Sequence, residues 1–107
     1  MEQFSVFRGM KEYQISRDDF YKLFSFVEKR LFDQGYYDVT TSSFKYWYDE
    51  ESIYICHMIS GTIVSWYKHC GRCNAANKDL TYDEFEVFAN EFKEELYSEV
   101  FNRRIDT

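Results

Sequence analysis

Residues 44–73, FKYWYDEESIYICHMISGTIVSWYKHCGRC, decide the fold. Phe44, Tyr46 and Tyr48 alternate with Lys45 and Trp47, and a polar knot, Asp49-Glu50-Glu51-Ser52, interrupts the run before a second alternating segment from Ile53 to Ile59. Ser60-Gly61 then reverses the chain into a third, from Thr62 to Lys68. Period-2 segments rich in aromatic and β-branched residues and bounded by turn residues predict antiparallel hairpins.

A two-residue turn at Ser60-Gly61 would set the register so that Met58 faces Ile63, Cys56 faces Ser65 and Tyr54 faces Tyr67. One face of the hairpin then carries Ile53, Ile55, His57 and Ile59 with Val64 and Trp66. The other carries Tyr54, Cys56 and Met58 with Ile63 and Tyr67. Both are largely apolar, whereas a small antiparallel sheet usually keeps one wet face. Helices can cover one; the N-terminal arm, a second copy of the chain or a partner would have to cover the other.

Working outward, residues 15–35 read as an amphipathic helix. Ser16 is placed as N-cap with Asp19 three positions on, Ile15 and Phe20 form a hydrophobic staple, and Gly35 supplies the left-handed stop. Phe20, Leu23, Phe24, Val27 and Leu31 fall in one stripe under about 100° wide, leaving Tyr21 and Phe32 outside it. A second helix starts at Thr81, where Thr81 and Glu84 form a capping box and Leu80 and Phe85 a staple. Its buried stripe is Phe85, Phe88, Ala89, Phe92, Leu96 and Val100; its opposite face displays Asp83, Val87, Glu91, Glu94, Tyr97 and Phe101. Residues 1–14 allow a short strand broken at Gly9 or an arm packing on the core, and residues 36–43 start the first strand or lead into it. The expected architecture is α+β, a single domain over residues 1–107 in the order α-β-β-β-α. In it a three-stranded antiparallel β-meander is packed on one face by two amphipathic helices.

Composition supports a packed domain. The chain has 107 residues, 45% apolar and 21% aromatic, with no proline, enough to bury a core without staples. No apolar run reaches the length of a membrane span, and residues 1–14 lack a signal-peptide pattern, so the expected location is cytoplasmic. Three cysteines without a secretory signal imply free thiols rather than a disulfide framework.

The formal net charge is −6, and it is concentrated. Residues 81–101 hold seven acids, Asp83, Glu84, Glu86, Glu91, Glu94, Glu95 and Glu99, against the single base Lys93. Elsewhere acids and bases balance. That field opposes a phosphate backbone or an anionic membrane, because nucleic-acid affinity comes from Lys and Arg displacing counterions. The expected partner is a protein with a basic surface, with no direct nucleic acid and no membrane.

Several constellations could carry chemistry. His69-Cys70-Gly71-Arg72-Cys73 places a C-x-x-C after a strand, a spacing suited to a redox dithiol or to three zinc ligands. The cap at Thr81 is too far along the chain to aim a helix dipole at either sulfur. In the expected register Cys70 lies opposite Glu51, about 16 Å along the strand from Cys56, so Cys56 cannot complete the site. No cofactor and no metal are therefore expected, with a small zinc or thiol protein using His69, Cys70 and Cys73 as an alternative. His57, among isoleucines, reads as a hydrogen-bonded core histidine. No nucleophile elbow, phosphate-binding glycine loop or H-E-x-x-H occurs, so no enzyme is expected.

The expected function is a non-enzymatic protein-binding module. Its candidate contacts are Glu91, Glu94, Tyr97 and Phe101 on the last helix and Tyr54 and Tyr67 on the sheet, since aromatic side chains dominate interface energies and acids select a basic partner. A structural homodimer or adaptor using the aromatic sheet face is the alternative. In size, element order and its helix bearing Asp83, Glu84, Glu86, Glu91, Glu94, Glu95 and Glu99, the chain resembles the small acidic inhibitors of phages and mobile elements, anti-CRISPR proteins among them. The resemblance implies an inhibitor that occupies the basic, nucleic-acid-binding surface of a defence nuclease.

Overall fold

The computed structural model describes residues 10–67 and 80–101. Strand β1 (Lys11–Gln14) leads into helix α1 (Arg17–Val27), which ends in a wide π turn, Glu28–Phe32. Strands β2 (Asp38–Thr40), β3 (Phe44–Tyr48), β4 (Ser52–His57) and β5 (Thr62–Tyr67) follow. Helix α2 (Tyr82–Leu96) closes the described chain with its own π turn, Tyr97–Phe101.

The fold is α+β with two helices, but the sheet is five-stranded and mixed, ordered β1-β5-β4-β3-β2. The expected three-stranded meander is its centre, β3 to β5. Two edge strands extend it. β1 runs parallel to β5, with Lys11 beside Thr62 and Gln14 beside Ser65, and β2 pairs antiparallel with β3. Each edge strand turns only one apolar side chain to the core, Tyr13 from β1 and Val39 from β2. Short, polar edges of this kind resist pairing with other chains, and for the same reason they leave no alternating pattern in the sequence.

The hairpin between β4 and β5 also differs from expectation. Its loop is four residues, Met58 to Gly61, closed by the Gly61 amide donating to the His57 carbonyl at 2.9 Å. Cys56 therefore faces Ile63, Tyr54 faces Ser65 and Ser52 faces Tyr67. A slip of two residues preserves the face of every strand residue, so the two expected faces survive. Met58 and Ile59 leave them for the loop, where Ile59 is 78% exposed. Gly61 has φ +79°, so the turn is glycine's by conformation, and Met10 of the chain entering β1 packs beside it, its Cγ 3.4 Å from where a Cβ would stand.

Both helices pack on the face carrying Tyr46, Ile53, Ile55, Val64 and Trp66. Their starts are local and were readable. The Ser16 hydroxyl accepts from the Asp19 amide at 3.3 Å, Ile15 and Phe20 are buried, and the Thr81–Glu84 capping box is complete. A ladder of rings then ties helices to sheet. Trp66 stacks on Phe20 at 4.3 Å and 5°, Phe20 on Phe24 at 5.7 Å, and Phe88 and Phe92 each reach Phe44 at 5.3 Å. A buried ring of this size contributes about 1.5–3 kcal/mol through removal of apolar surface from water.

Two side chains depart from the helical stripes. Phe26 lies off the α1 stripe yet is covered by α2, 6.0 Å from Phe92 and with Lys93 Nζ 5.7 Å above its ring. Phe101 was expected on the outer face of α2 but is buried. The π turn widens the last coil of the helix and carries that side chain back towards the core. Tyr21 is exposed with its ring edge-on to Trp66, and Phe32 packs on Tyr48.

Candidate functional site

The seven carboxylates of α2 separate into two groups. Three are spent on the fold. Glu84 closes the capping box, Glu95 accepts from the Thr41 hydroxyl at 2.7 Å and the Ser43 amide at 2.9 Å, and Glu99 accepts from the Ser42 amide at 2.9 Å. Glu95 and Glu99 thus clamp the turn between β2 and β3. Partial burial alone would push the Glu95 carboxyl up, but the hydrogen bonds from Thr41 and Ser43, with a contribution from the nearby His57, hold it below the ordinary carboxylate value.

Asp83, Glu86, Glu91 and Glu94 form the other group. All four are exposed. Asp83, Val87, Glu91 and Glu94 share the outward stripe of the helix, with Glu86 at its margin, and Val87 is 57% exposed in the middle of them. No ion pair joins these acids to a basic side chain among the described residues.

The predicted contacts do not form one patch. Glu91 and Glu94 lie on the exposed face of α2, as expected. Tyr97 is half-buried beneath Arg30, whose guanidinium carbon is 5.4 Å from the Tyr97 ring centre and 4.7 Å from that of Phe101. Tyr54 and Tyr67 project from the opposite face of the sheet, because their neighbours Ile53, Ile55 and Trp66 point into the helix-covered core. The sheet therefore separates the two halves of the predicted set.

On that second face Tyr54 stacks against Trp47 at 5.0 Å and meets Tyr67 edge-on at 6.3 Å. The Tyr67 hydroxyl donates to Glu12 Oε2 at 2.9 Å. Burial, then this hydrogen bond and the charge of Glu12, with Tyr54 adding, push the Tyr67 phenol up to about 12. Cys56 is fully buried between these rings and the N-terminal approach, its Sγ 3.5 Å from Met10 Sδ, and burial pushes its thiol up. A thiol so placed is a packing residue rather than a nucleophile. Trp47 and Glu12 were missed as members of this face; the Trp47–Tyr54 pairing follows from the β3–β4 register, and Glu12 from the parallel pairing of β1 with β5, which the sequence does not reveal.

His57 behaves as a turn residue, with Nδ1 2.7 Å from Ser60 Oγ and its ring tilted against Phe44 at 4.8 Å. His69, Cys70 and Cys73 lie outside the described residues. Among the described residues no three His, Cys, Asp or Glu side chains are grouped to hold a metal ion, and no helix is long and apolar enough to cross a membrane. No family model matches this chain, and no curated protein and no solved structure matches it either.

Proposed function

We propose that this protein is a non-enzymatic protein-binding module whose outward α2 face engages a basic surface of its partner, as an acidic inhibitor of a nucleic-acid-binding target would. The observation that carries this reading is the division of the helix acids. Glu84, Glu95 and Glu99 are committed to internal hydrogen bonds, whereas Asp83, Glu86, Glu91 and Glu94 face outward. Like charges three or four positions apart, such as Asp83 with Glu86 and Glu91 with Glu94, each cost a helix about 0.2–0.5 kcal/mol. A basic partner would convert that repulsion into attraction and accelerate its own capture. Val87 sits among the acids as the apolar contact that such an interface needs at its centre.

The test is recovery of partners on immobilised protein, followed by competition. A partner should be basic, should be released as salt rises from about 50 mM to about 500 mM because exposed charges are screened, and should lose its bound nucleic acid when this protein is added. The double variant Glu91→Lys, Glu94→Lys should weaken capture by at least about tenfold. Binding that is indifferent to salt and to charge reversal would reject the reading.

A further inference from the structure

The sheet face turned away from the helices carries charges as well as rings, and the strand registers fix their layout. Glu12, Ile63, Cys56 and Lys45 stand side by side in one row across β1, β5, β4 and β3. Both ends of the row reach over this face. Glu12 accepts the Tyr67 hydroxyl at 2.9 Å, and the charge of Lys45 acts on the Cys56 thiol, opposing the rise that burial causes. Three strand spacings of about 4.8 Å separate Glu12 from Lys45 by about 14 Å, too far for an ion pair within one chain.

The rungs between β4 and β5 on this face each hold one large and one small side chain. Ile63 faces Cys56, Tyr54 faces Ser65 and Tyr67 faces Ser52, so the large member changes strand from rung to rung. Met10 passes over Gly61 and brings its Sδ to 3.5 Å from Cys56 Sγ, which keeps that end of the face apolar. Tyr54, Tyr67 and Lys45 are only half-buried, and Glu12 is exposed.

We propose that this face receives a second copy of the chain, related by a two-fold axis running along the strands between β4 and β5. Such an axis exchanges β4 with β5 and β1 with β3. It sets Glu12 of each copy over Lys45 of the other, forming twice the ion pair that one chain cannot make. It also sets Tyr54 over Ser65 and Tyr67 over Ser52, large over small, so that the two faces interdigitate. Turning the second copy end to end would instead stack β1 on β1 and β3 on β3, leaving Glu12 and Lys45 as far apart as before. An apolar centre with charges at its margin and a self-complementary two-fold are the usual anatomy of such contacts.

The acidic helix does not oppose this association. Stacked sheets lie about 10 Å apart, so the two α2 helices occupy the outer surfaces of the dimer, more than two Debye lengths of about 8 Å from each other. Their carboxylates stay turned outward, and the dimer neither uses nor covers the α2 face. A face four strands wide and about five residues long spans roughly 20 by 17 Å, the small end of specific interfaces, where a dissociation constant of tens of micromolar is expected.

Sedimentation velocity at about 1 to 300 µM protein in about 0.15 M salt reads the subunit number, and the chain should pass from monomer to dimer across that range. Glu12→Lys and Lys45→Glu should each weaken self-association at least about tenfold, because each sets like charges across the axis twice. An equimolar mixture of the two variants should dimerise again, since each copy then offers the charge that the other lacks. In the unaltered protein the Tyr54 and Tyr67 ring resonances should shift with concentration while those of Tyr21 and Tyr82 on the helices stay fixed. A chain monomeric at about 300 µM, shifts on Tyr21 or Tyr82 in place of Tyr54 and Tyr67, or folded variants that fail to associate when mixed would each overturn the proposal. None of these readouts involves a basic partner, so the dimer can fail while charge reversal on α2 still abolishes capture, and the reverse holds too.

Discussion

The Thr41 hydroxyl donates to the Glu95 carboxylate at 2.7 Å, joining the turn between β2 and β3 to the last turn of α2. The same carboxylate accepts the Ser43 amide, so removing it strands two donors rather than one. Glu95→Ala should cost about 1–3 kcal/mol in urea denaturation, more than Glu91→Ala, which should stay within about 0.5 kcal/mol.

That carboxyl also sets an acid limit. Its native pKa is lowered, so its contribution to stability is complete above the ordinary carboxylate value and is lost as pH falls through the lowered native one. Stability followed by denaturant titration should decline below about pH 4, and Glu95→Gln should flatten part of the decline. An identical acid limb in the variant would mean that other carboxylates govern it.

Glu50→Gly should raise stability by about 1 kcal/mol, since glycine adopts its φ of +78° without steric cost. Gly61→Ala should do the opposite, by about 1–2 kcal/mol, because φ is +79°, a region in which a side chain is strained. Should Glu50→Gly destabilise, the turn would depend on the glutamate side chain instead of tolerating it.

The Tyr46 hydroxyl is buried without a hydrogen-bond partner among the described residues, and burial first of all pushes its phenol well above the ordinary value. Tyr46→Phe removes an unsatisfied polar atom and keeps the ring, so stability should be unchanged or rise by up to about 1 kcal/mol. A loss of more than that would reveal a bridging water.

Tyr67 offers a spectroscopic check on the partnership across β1 and β5. The ζ-carbon resonance of Tyr67 should titrate at about 12, and Glu12→Gln should bring the midpoint part of the way back, leaving the portion due to burial. For a phenol raised in this way, the associated stability is full below pH 10 and is lost between pH 10 and about 12. An unshifted midpoint in Glu12→Gln would place the effect in burial alone.

Local chemistry was readable from sequence, and non-local chemistry was not. Ser16, Thr81 and Glu84 announce helix starts because each cap is completed within three residues. The two faces of β4 and β5 were legible because a register error of two leaves side-chain parity intact. A short strand within residues 1–14 and the start of a strand within residues 36–43 were open readings, but the bounds Lys11–Gln14 and Asp38–Thr40 and their places at the two sheet edges were not legible, because a strand that buries only Tyr13 or only Val39 has no period to detect. Phe101 was misplaced because the π turn departs from the rotation assumed for a regular helix. Of the candidate contacts, exposure of Glu91 and Glu94 followed from the heptad-like spacing of the buried stripe, but their separation from Tyr54 and Tyr67 required knowing which side of the sheet α2 covers.

The parallel edge also dictates an order of events as the chain finds its fold. β3, β4 and β5 can zip together through short loops, whereas Lys11 must wait for Thr62, its neighbour from far along the chain. On this argument docking of β1, with Met10 seated against Gly61 and Cys56, is expected late on the route, outside the rate-limiting ensemble. Met10→Ala should accelerate unfolding while leaving the refolding rate almost untouched. The short polar strand that is hardest to see in the sequence would then be the latch that governs how long the native protein lasts.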